Sequence, residues 1–151
     1  MAGAAEARPP FPARVFCDSS YFYACADSDD VYHVRSLALA RAAAGRGTQL
    51  WTTWDVISET VTLLRYRHSW AAAIGFLDAV RPGLRVIDYA ASVRLEAEKV
   101  FRRHGRDHRL SFCDAVSFVV VTTLLERMPC FTFDEGFRRL ALTAIAIPSE
   151  P

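Results

Sequence analysis

Ser111-Phe112-Cys113-Asp114-Ala115-Val116-Ser117-Phe118-Val119-Val120-Val121 is the most apolar stretch of the chain, and it carries one acid near its start. The β-branched run from Val119 to Thr123 disfavours a helix locally, because branching at Cβ restricts χ1 against the preceding turn. The stretch nevertheless continues unbroken from Ser111 to Glu126, longer than an ordinary strand, so length decides for a buried helix running to about Arg127. Asp114 then has two readings. Ser111-x-x-Asp114 has the spacing of a capping box. A carboxylate at the mouth of a buried helix is also costly unless it is paired or bound to a metal, which makes Asp114 a candidate metal ligand.

Strand signals lie on both sides of this helix. Downstream, Pro129 to Asp134 is a short apolar run that ends in an acid, Glu135 to Leu140 makes a short helix, and Leu142 to Ile147 reads as a last strand. Upstream, Ala90 to His104 has Val93, Ala97 and Val100 on one face and Gly105 as its stop. Leu84 to Asp88 reads as a third strand. Ser69 caps a helix from Trp70 to Val80, which Pro82-Gly83 ends. Trp54 to Arg65 is a helix with Ile57, Val61 and Leu64 at core spacing and Asp55, Glu59 and Thr62 on a neighbouring polar stripe. Gln49 to Thr53 is a second strand. Val31 to Ala44 is a helix with Ser28 or Asp29 as N-cap and Gly45 past its end. Arg14 to Asp18 is the first strand, followed by a short helix or turn over Tyr21 to Ala26. Strands alternating with helices imply a parallel sheet covered on both faces.

Met1 to Pro12 is rich in Ala and Pro and reads as a disordered tail, which leaves residues 13–148 as a single domain. The tail has no apolar core and is no signal peptide, and no apolar run reaches the ~18 residues of a membrane span. Net charge is +1 over 151 residues, so no global field points to a nucleic acid or a membrane. Locally, Arg94, Lys99, Arg102, Arg103, Arg106 and Arg109 outnumber Glu96, Glu98 and Asp107, a pattern that most often marks a solvated helix face. Cys17, Cys25, Cys113 and Cys130 form no CxxC pair; all but Cys25 sit among apolar neighbours as small buried hydrophobes, and a reducing cytoplasm suits them. The four histidines stand at no ligand spacing with the acids. Trp51, Trp54 and Trp70 near helix starts read more as core than as base-stacking residues.

Two strands share one design. Val15-Phe16-Cys17-Asp18 and Phe131-Thr132-Phe133-Asp134 each end in an Asp at the carboxyl edge, where parallel α/β sheets bind ligands. Glu59, early in the helix after strand two, and Asp114, opening the helix before strand four, could face the same crevice. Oxygen ligands without His or Cys suit Mg²⁺ or Mn²⁺. Such a set performs phosphoryl chemistry by activating water and stabilising the leaving oxygen. Singly, each acid reads more simply as a cap or an exposed helix residue.

Four stretches together resemble the PIN-domain nucleases, and among them the VapC-like toxins of type II toxin–antitoxin pairs: Val15-Phe16-Cys17-Asp18-Ser19-Ser20, Ser58-Glu59, Leu110 to Phe118, and Thr132-Phe133-Asp134-Glu135-Gly136-Phe137. The resemblance spans Arg14 to Ile147. It implies a PIN-like three-layer α/β/α sandwich with a five-stranded parallel sheet in the order 3-2-1-4-5. It implies Asp18, Glu59, Asp114 and Asp134 as the catalytic acids, with Mg²⁺ or Mn²⁺ held by Asp18, Asp114 and Asp134, and with Ser19 assisting. The implied activity is metal-dependent endonucleolytic cleavage of RNA. The implied partners are an RNA and a cognate antitoxin but no membrane, with a homodimer left open. Arg102, Arg103, Arg106 and Arg109 are expected to be exposed and to meet RNA phosphates. Tyr21, Phe22 and Tyr23, with Trp54, Ile57 and Val61, are expected to line an apolar groove for the antitoxin. A PIN-like binding module and a small-molecule phosphohydrolase are the competing readings; the full set of acids weighs against the first, and the arginines against the second.

Overall fold

Burial alternates on neither side of the first strand: Val15, Phe16 and Cys17 are all fully buried. Since successive side chains point to opposite faces, both faces of the sheet must be covered. The computed structural model describes residues 11–107 and 109–140. Its strands β1 (Arg14–Cys17), β2 (Gln49–Thr52), β3 (Arg85–Val86) and β4 (Cys130–Phe131) form one sheet in the order β3-β2-β1-β4. All neighbours are parallel, with Phe16 opposite Trp51 on one side and Cys130 on the other. The order matches the first four places of the expected arrangement. The expected fifth strand, Leu142 to Ile147, lies outside the described residues.

Among the described residues seven α-helices accompany the sheet: α1 (Ser19–Ala26), α2 (His33–Arg46), α3 (Trp54–Arg67), α4 (Trp70–Gly75), α5 (Ala91–His104), α6 (Phe112–Thr123) and α7 (Glu135–Arg139). The apolar stretch is a helix, as its length requires, and Val116, Val120 and Val121 are fully buried on it. It stops at Thr123, short of Arg127. Thr122 and Thr123 hydroxyls donate back to Phe118 O (2.8 Å) and Val119 O (2.6 Å), and Glu126 and Arg127 then take left-handed backbone angles (φ 53° and 58°) that end the helix. Other boundaries shift for equally local reasons. α2 runs through Gly45 and stops at Gly47, whose left-handed φ of 65° lets its N–H reach Ala43 O and Ala44 O. It begins at His33 because Asp30 Oδ1 accepts the Tyr32 N–H at 2.8 Å and holds a turn where the helix was expected. Beyond α4 the chain widens into a π turn over Phe76–Val80 and tightens at Arg81–Gly83.

Two expectations about burial need correction. Phe11 and Pro12, assigned to the tail, are part of the fold: Phe11 packs on Phe131 with ring centroids 6.1 Å apart, and Thr48 Oγ1 donates to Pro12 O. Trp54 and Trp70, read as core, are exposed by 51% and 62%. Each is the first residue of its helix, Trp54 of α3 and Trp70 of α4. All four cysteines are free; Cys17 and Cys130 are buried, while Cys113 is half-buried. Among the described residues no helix is long and apolar enough to cross a membrane.

Candidate active site

Because β1 and β4 are adjacent and parallel, their carboxyl ends deliver Asp18 and the segment Thr132-Phe133-Asp134 to one place. Asp18 N donates to Phe131 O at 3.3 Å, fixing the register at that edge. Asp18 caps α1 through its Oδ1, which accepts the Tyr21 N–H (3.2 Å) and the Ser20 hydroxyl (2.6 Å). Its Oδ2 accepts the hydroxyl of Thr132. The residue is only 3% exposed. Burial pushes its pKa up from 3.8 to about 7; the hydrogen bonds oppose the rise, and the Asp114 charge adds to it.

Asp114 makes the capping box that its spacing predicts, in acidic company. Its Oδ2 accepts the Ser111 N–H at 2.9 Å while the Ser111 hydroxyl accepts the Asp114 N–H at 3.0 Å, a complete capping box. Yet the carboxyl is 8% exposed and sits among acids. Burial raises its pKa to about 6, with Asp134 and Glu59 contributing by repulsion and the Ser111 bonds acting against it. A cap that served only the helix would gain nothing from such neighbours.

Asp134 caps α7, its Oδ1 accepting the Phe137 N–H at 3.0 Å. Glu59, half-buried on α3, accepts the Ser19 hydroxyl at 3.0 Å through Oε2. Ser19 therefore touches Glu59 and orients it. The structure thus brings Asp18, Glu59, Asp114, Asp134 and Ser19 to one edge.

Three residues of the site were in the quoted motifs without a role. Thr132 Oγ1 donates to Asp18 and accepts the Asp134 N–H at 3.1 Å, so one hydroxyl ties the two strand-end acids together. Ser20 Oγ accepts the Phe133 N–H at 2.9 Å while donating to Asp18. Gly136 is required by space: a Cβ there would lie 2.9 Å from Arg109 O and 3.1 Å from Asp134 Oδ1. The Thr132-x-Asp134 spacing was the available signal, but hydroxyls near acids are too common in sequences to stand out.

Arg102, Arg103, Arg106 and Arg109 are all exposed. The Arg109 backbone passes against Gly136 and so lies beside Asp134. The apolar-groove expectation needs revision. Tyr21, Phe22 and Ile57 belong to the core at 2–3% exposure. An apolar cleft of about 380 Å³ does exist, but its walls are Tyr21, Phe22, Leu37, Leu50, Phe76 and Val80, without Trp54, Ile57 or Val61.

Two polar clefts meet at Glu59. One, about 510 Å³, has Trp54, Asp55, Arg94, Ser111, Phe112 and Cys113 in its walls. The other, about 320 Å³, has Ser19, Tyr23, Tyr32, Arg67, Phe133 and Asp134.

The donor set fits a hard divalent cation in chemistry. The candidates are carboxylate oxygens, and two of them are held near neutral pKa by burial and mutual repulsion that a cation would relieve. Asp114, Asp134 and Glu59 each already accept a hydrogen bond from the protein: Asp114 from the Ser111 N–H, Asp134 from the Phe137 N–H and Glu59 from the Ser19 hydroxyl. Among the described residues, no group of three or more Asp, Glu, His or Cys side chains stands close enough together to hold a metal ion, so the rest of any ion's shell would be water. Magnesium normally keeps several waters and takes one or two carboxylates, so an open acidic crevice suits it.

A family model described as PIN domain matches residues 15–142. A VapC ribonuclease of Archaeoglobus fulgidus is 30% identical over 123 residues, covering 80% of this chain and 76% of that protein. Among solved structures, VapC20 of Mycobacterium tuberculosis, described as a sarcin–ricin loop cleaving toxin, superposes with a TM-score of 0.74 at 25% identity, covering 85% of this chain and 96% of its own. PAE2754 of Pyrobaculum aerophilum gives 0.63 at 22% identity, covering 88% and 89% of the two chains, a likeness of fold.

Proposed function

The chain belongs to the PIN-domain family, and from that premise we propose that it is a metal-dependent RNA endonuclease, a hydrolase of phosphodiester bonds. The observation that carries this reading is the pairing of Asp18 and Asp114. They come from elements far apart in the chain, lie buried at the same edge, and hold protons to about pH 7 and 6. Natural selection for stability alone does not gather acids where burial and like charge both oppose ionisation; perturbed carboxylates in a cleft mark a functional site.

Asp114 and Asp134 would hold the ion with water completing its shell, Mg²⁺ with Mn²⁺ as substitute, since the donors are hard oxygens; Asp18, both of whose oxygens accept protein hydrogen bonds, would join by exchanging one of them. When bound, the cation supplies Lewis acidity that activates water and offsets charge on the phosphate. The chain's own contribution is positional. Thr132 fixes Asp18 relative to Asp134, the capping box fixes the Asp114 carboxyl, and Ser19 aims Glu59 toward the substrate side. As pH falls through 7 and then 6, first Asp18 and then Asp114 gains a proton and loses its attraction for a cation, so ion binding and cleavage decline together. Arg102, Arg103, Arg106 and Arg109 supply cationic surface for the RNA backbone.

The reading extends to a toxin–antitoxin setting, in which the chain from Phe11 to about residue 148 forms one catalytic domain acting in the cytoplasm, with a cognate antitoxin as partner. The experiment incubates the purified protein with RNA and with a generic phosphate ester, in EDTA, Mg²⁺ or Mn²⁺. Metal-dependent internal cleavage of RNA, abolished in Asp114→Asn, is expected. Turnover of the ester alone would point to a phosphohydrolase instead, and RNA binding without cleavage under any metal to a binding module.

A further inference from the structure

The smaller of the two clefts at Glu59 has an aromatic wall that the chemistry of hydrolysis does not use. Tyr32, in the turn before α2, stacks on Phe133 with ring centroids 4.6 Å apart and planes within 3°. Phe133 is buried, and it is the residue between Thr132 and Asp134, so the stack stands directly on the catalytic edge. Tyr32 keeps 36% of its surface exposed and lines the cleft with Ser19, Tyr23, Glu59, Arg67 and Asp134.

The turn that carries Tyr32 is strapped from several directions. Asp30 Oδ1 accepts the Tyr32 N–H at 2.8 Å, and Asp27 Oδ1 accepts the Asp29 N–H at 3.0 Å. Asp27 Oδ2 accepts the Tyr23 hydroxyl at 2.7 Å, and His33 Nδ1 lies 2.7 Å from Ala24 O. The ring is therefore held in place before any ligand arrives, at little further cost in conformational entropy. An isolated surface tyrosine needs no explanation. A tyrosine fixed flat against a buried ring, in a cleft that also holds an exposed arginine and two of the acids, has the parts that bind a nucleotide: a π-face for the base and a cation for its phosphate.

We propose that the Tyr32–Phe133 stack is a nucleobase subsite, on which an unpaired base of the RNA substrate stacks next to the phosphate that is cut, with Arg67 contacting the adjoining phosphate. This rests on the ribonuclease reading for the location of the cut, but the stacking itself does not depend on cleavage. Stacking is tolerant of base identity because every base has a π-face, so the subsite selects single-stranded or looped RNA over duplex rather than one base over another.

The test uses short single-stranded RNAs with 2-aminopurine at successive positions, bound to the whole protein in EDTA so that cleavage is silent. Quenching at one position or its neighbour is expected with the parent and with Tyr32→Phe, which keeps the ring. It should be lost in Tyr32→Leu, which still covers Phe133 but offers no π-face, together with RNA affinity about five- to a hundredfold weaker. In metal, an abasic site at the quenched position should raise KM for the parent and not for Tyr32→Leu. Arg67→Ala should reduce the salt dependence of binding by about one phosphate contact. Unaltered affinity and fluorescence in a folded Tyr32→Leu protein would overturn the subsite and leave the ribonuclease reading standing. Tyr32-dependent quenching in a protein that cleaves no RNA would do the reverse. If Tyr32→Leu lowers only the melting temperature, the stack is a structural staple and the proposal fails.

Discussion

Replacing Asp114 with Asn separates its two roles by their opposite effects on stability. Burial raises the Asp114 pKa from its ordinary 3.8 to about 6. At about 1.4 kcal/mol per pH unit, the ionised carboxylate destabilises the fold by about 3 kcal/mol once the pH is well above 6. The direction follows from proton binding: the folded state holds this proton more tightly than the unfolded chain, so stability falls as pH rises from about 4 through 6. Asn removes the charge but keeps the shape, and its amide oxygen still accepts the Ser111 N–H now bonded at 2.9 Å. Exchanging a charge-assisted bond for a neutral one loses about 1 kcal/mol. In EDTA at pH 7.5, Asp114→Asn should therefore be more stable than the parent by about 1–2 kcal/mol, or about 2–8 °C in Tm for a chain of this size. At pH 5 the advantage should vanish or change sign, because the parent's own carboxyl is then protonated. Asp18 titrates near 7 in the parent and lower in the variant, which lacks the Asp114 charge that raises it, so the difference between the two melts reports Asp114 together with its repulsion of Asp18. Melts by circular dichroism from pH 4.5 to 8 give the curve, and one RNA cleavage assay should find the variant inactive. A variant less stable than the parent by the same amount at every pH, and still active, would refute the reasoning: Asp114 would then be a helix cap and nothing more.

Thr132→Val removes the hydroxyl that Asp18 and the Asp134 N–H share, and should destabilise by about 1–3 kcal/mol while moving the acid limb of the cleavage–pH profile upward, since Asp18 loses a bond that lowers its pKa. Gly136→Ala forces the Arg109 backbone or the Asp134 carboxyl to move, and should reduce cleavage far more than it reduces Tm. In Arg106→Ala/Arg109→Ala, RNA affinity should fall and the slope of log K against log salt should flatten by about 1.4 if each arginine meets one phosphate, with no change in the denaturation midpoint. Ser117 Oγ is buried in α6 with no hydrogen-bond partner among the described residues, so Ser117→Ala should raise the urea midpoint, by about 1 kcal/mol in free energy, and leave activity alone.

The sequence by itself determined the alternation of strands and helices and the acids at the strand ends, because both are written in local patterns. An apolar run of strand length stops where an acid begins, and an apolar run too long for a strand becomes a buried helix. Position alone made Asp18, Glu59, Asp114 and Asp134 candidates, and the resemblance to the PIN-domain nucleases joined them into a set. The sequence could not set boundaries that depend on a single backbone angle or a competing side-chain bond. Gly45 and Gly47 look equivalent as stop signals, and only the folded chain puts Gly47 in the left-handed region. Nor could it find Thr132, Ser20 or the Tyr32–Phe133 stack, since each acts across a separation of about a hundred residues. Parallel pairing of β1 with β4 creates those contacts, and parallel pairing requires the whole intervening chain to cross over first. The identity of the acids is local chemistry; their raised pKa values, their support and their aromatic neighbour exist only once the two strand ends lie side by side.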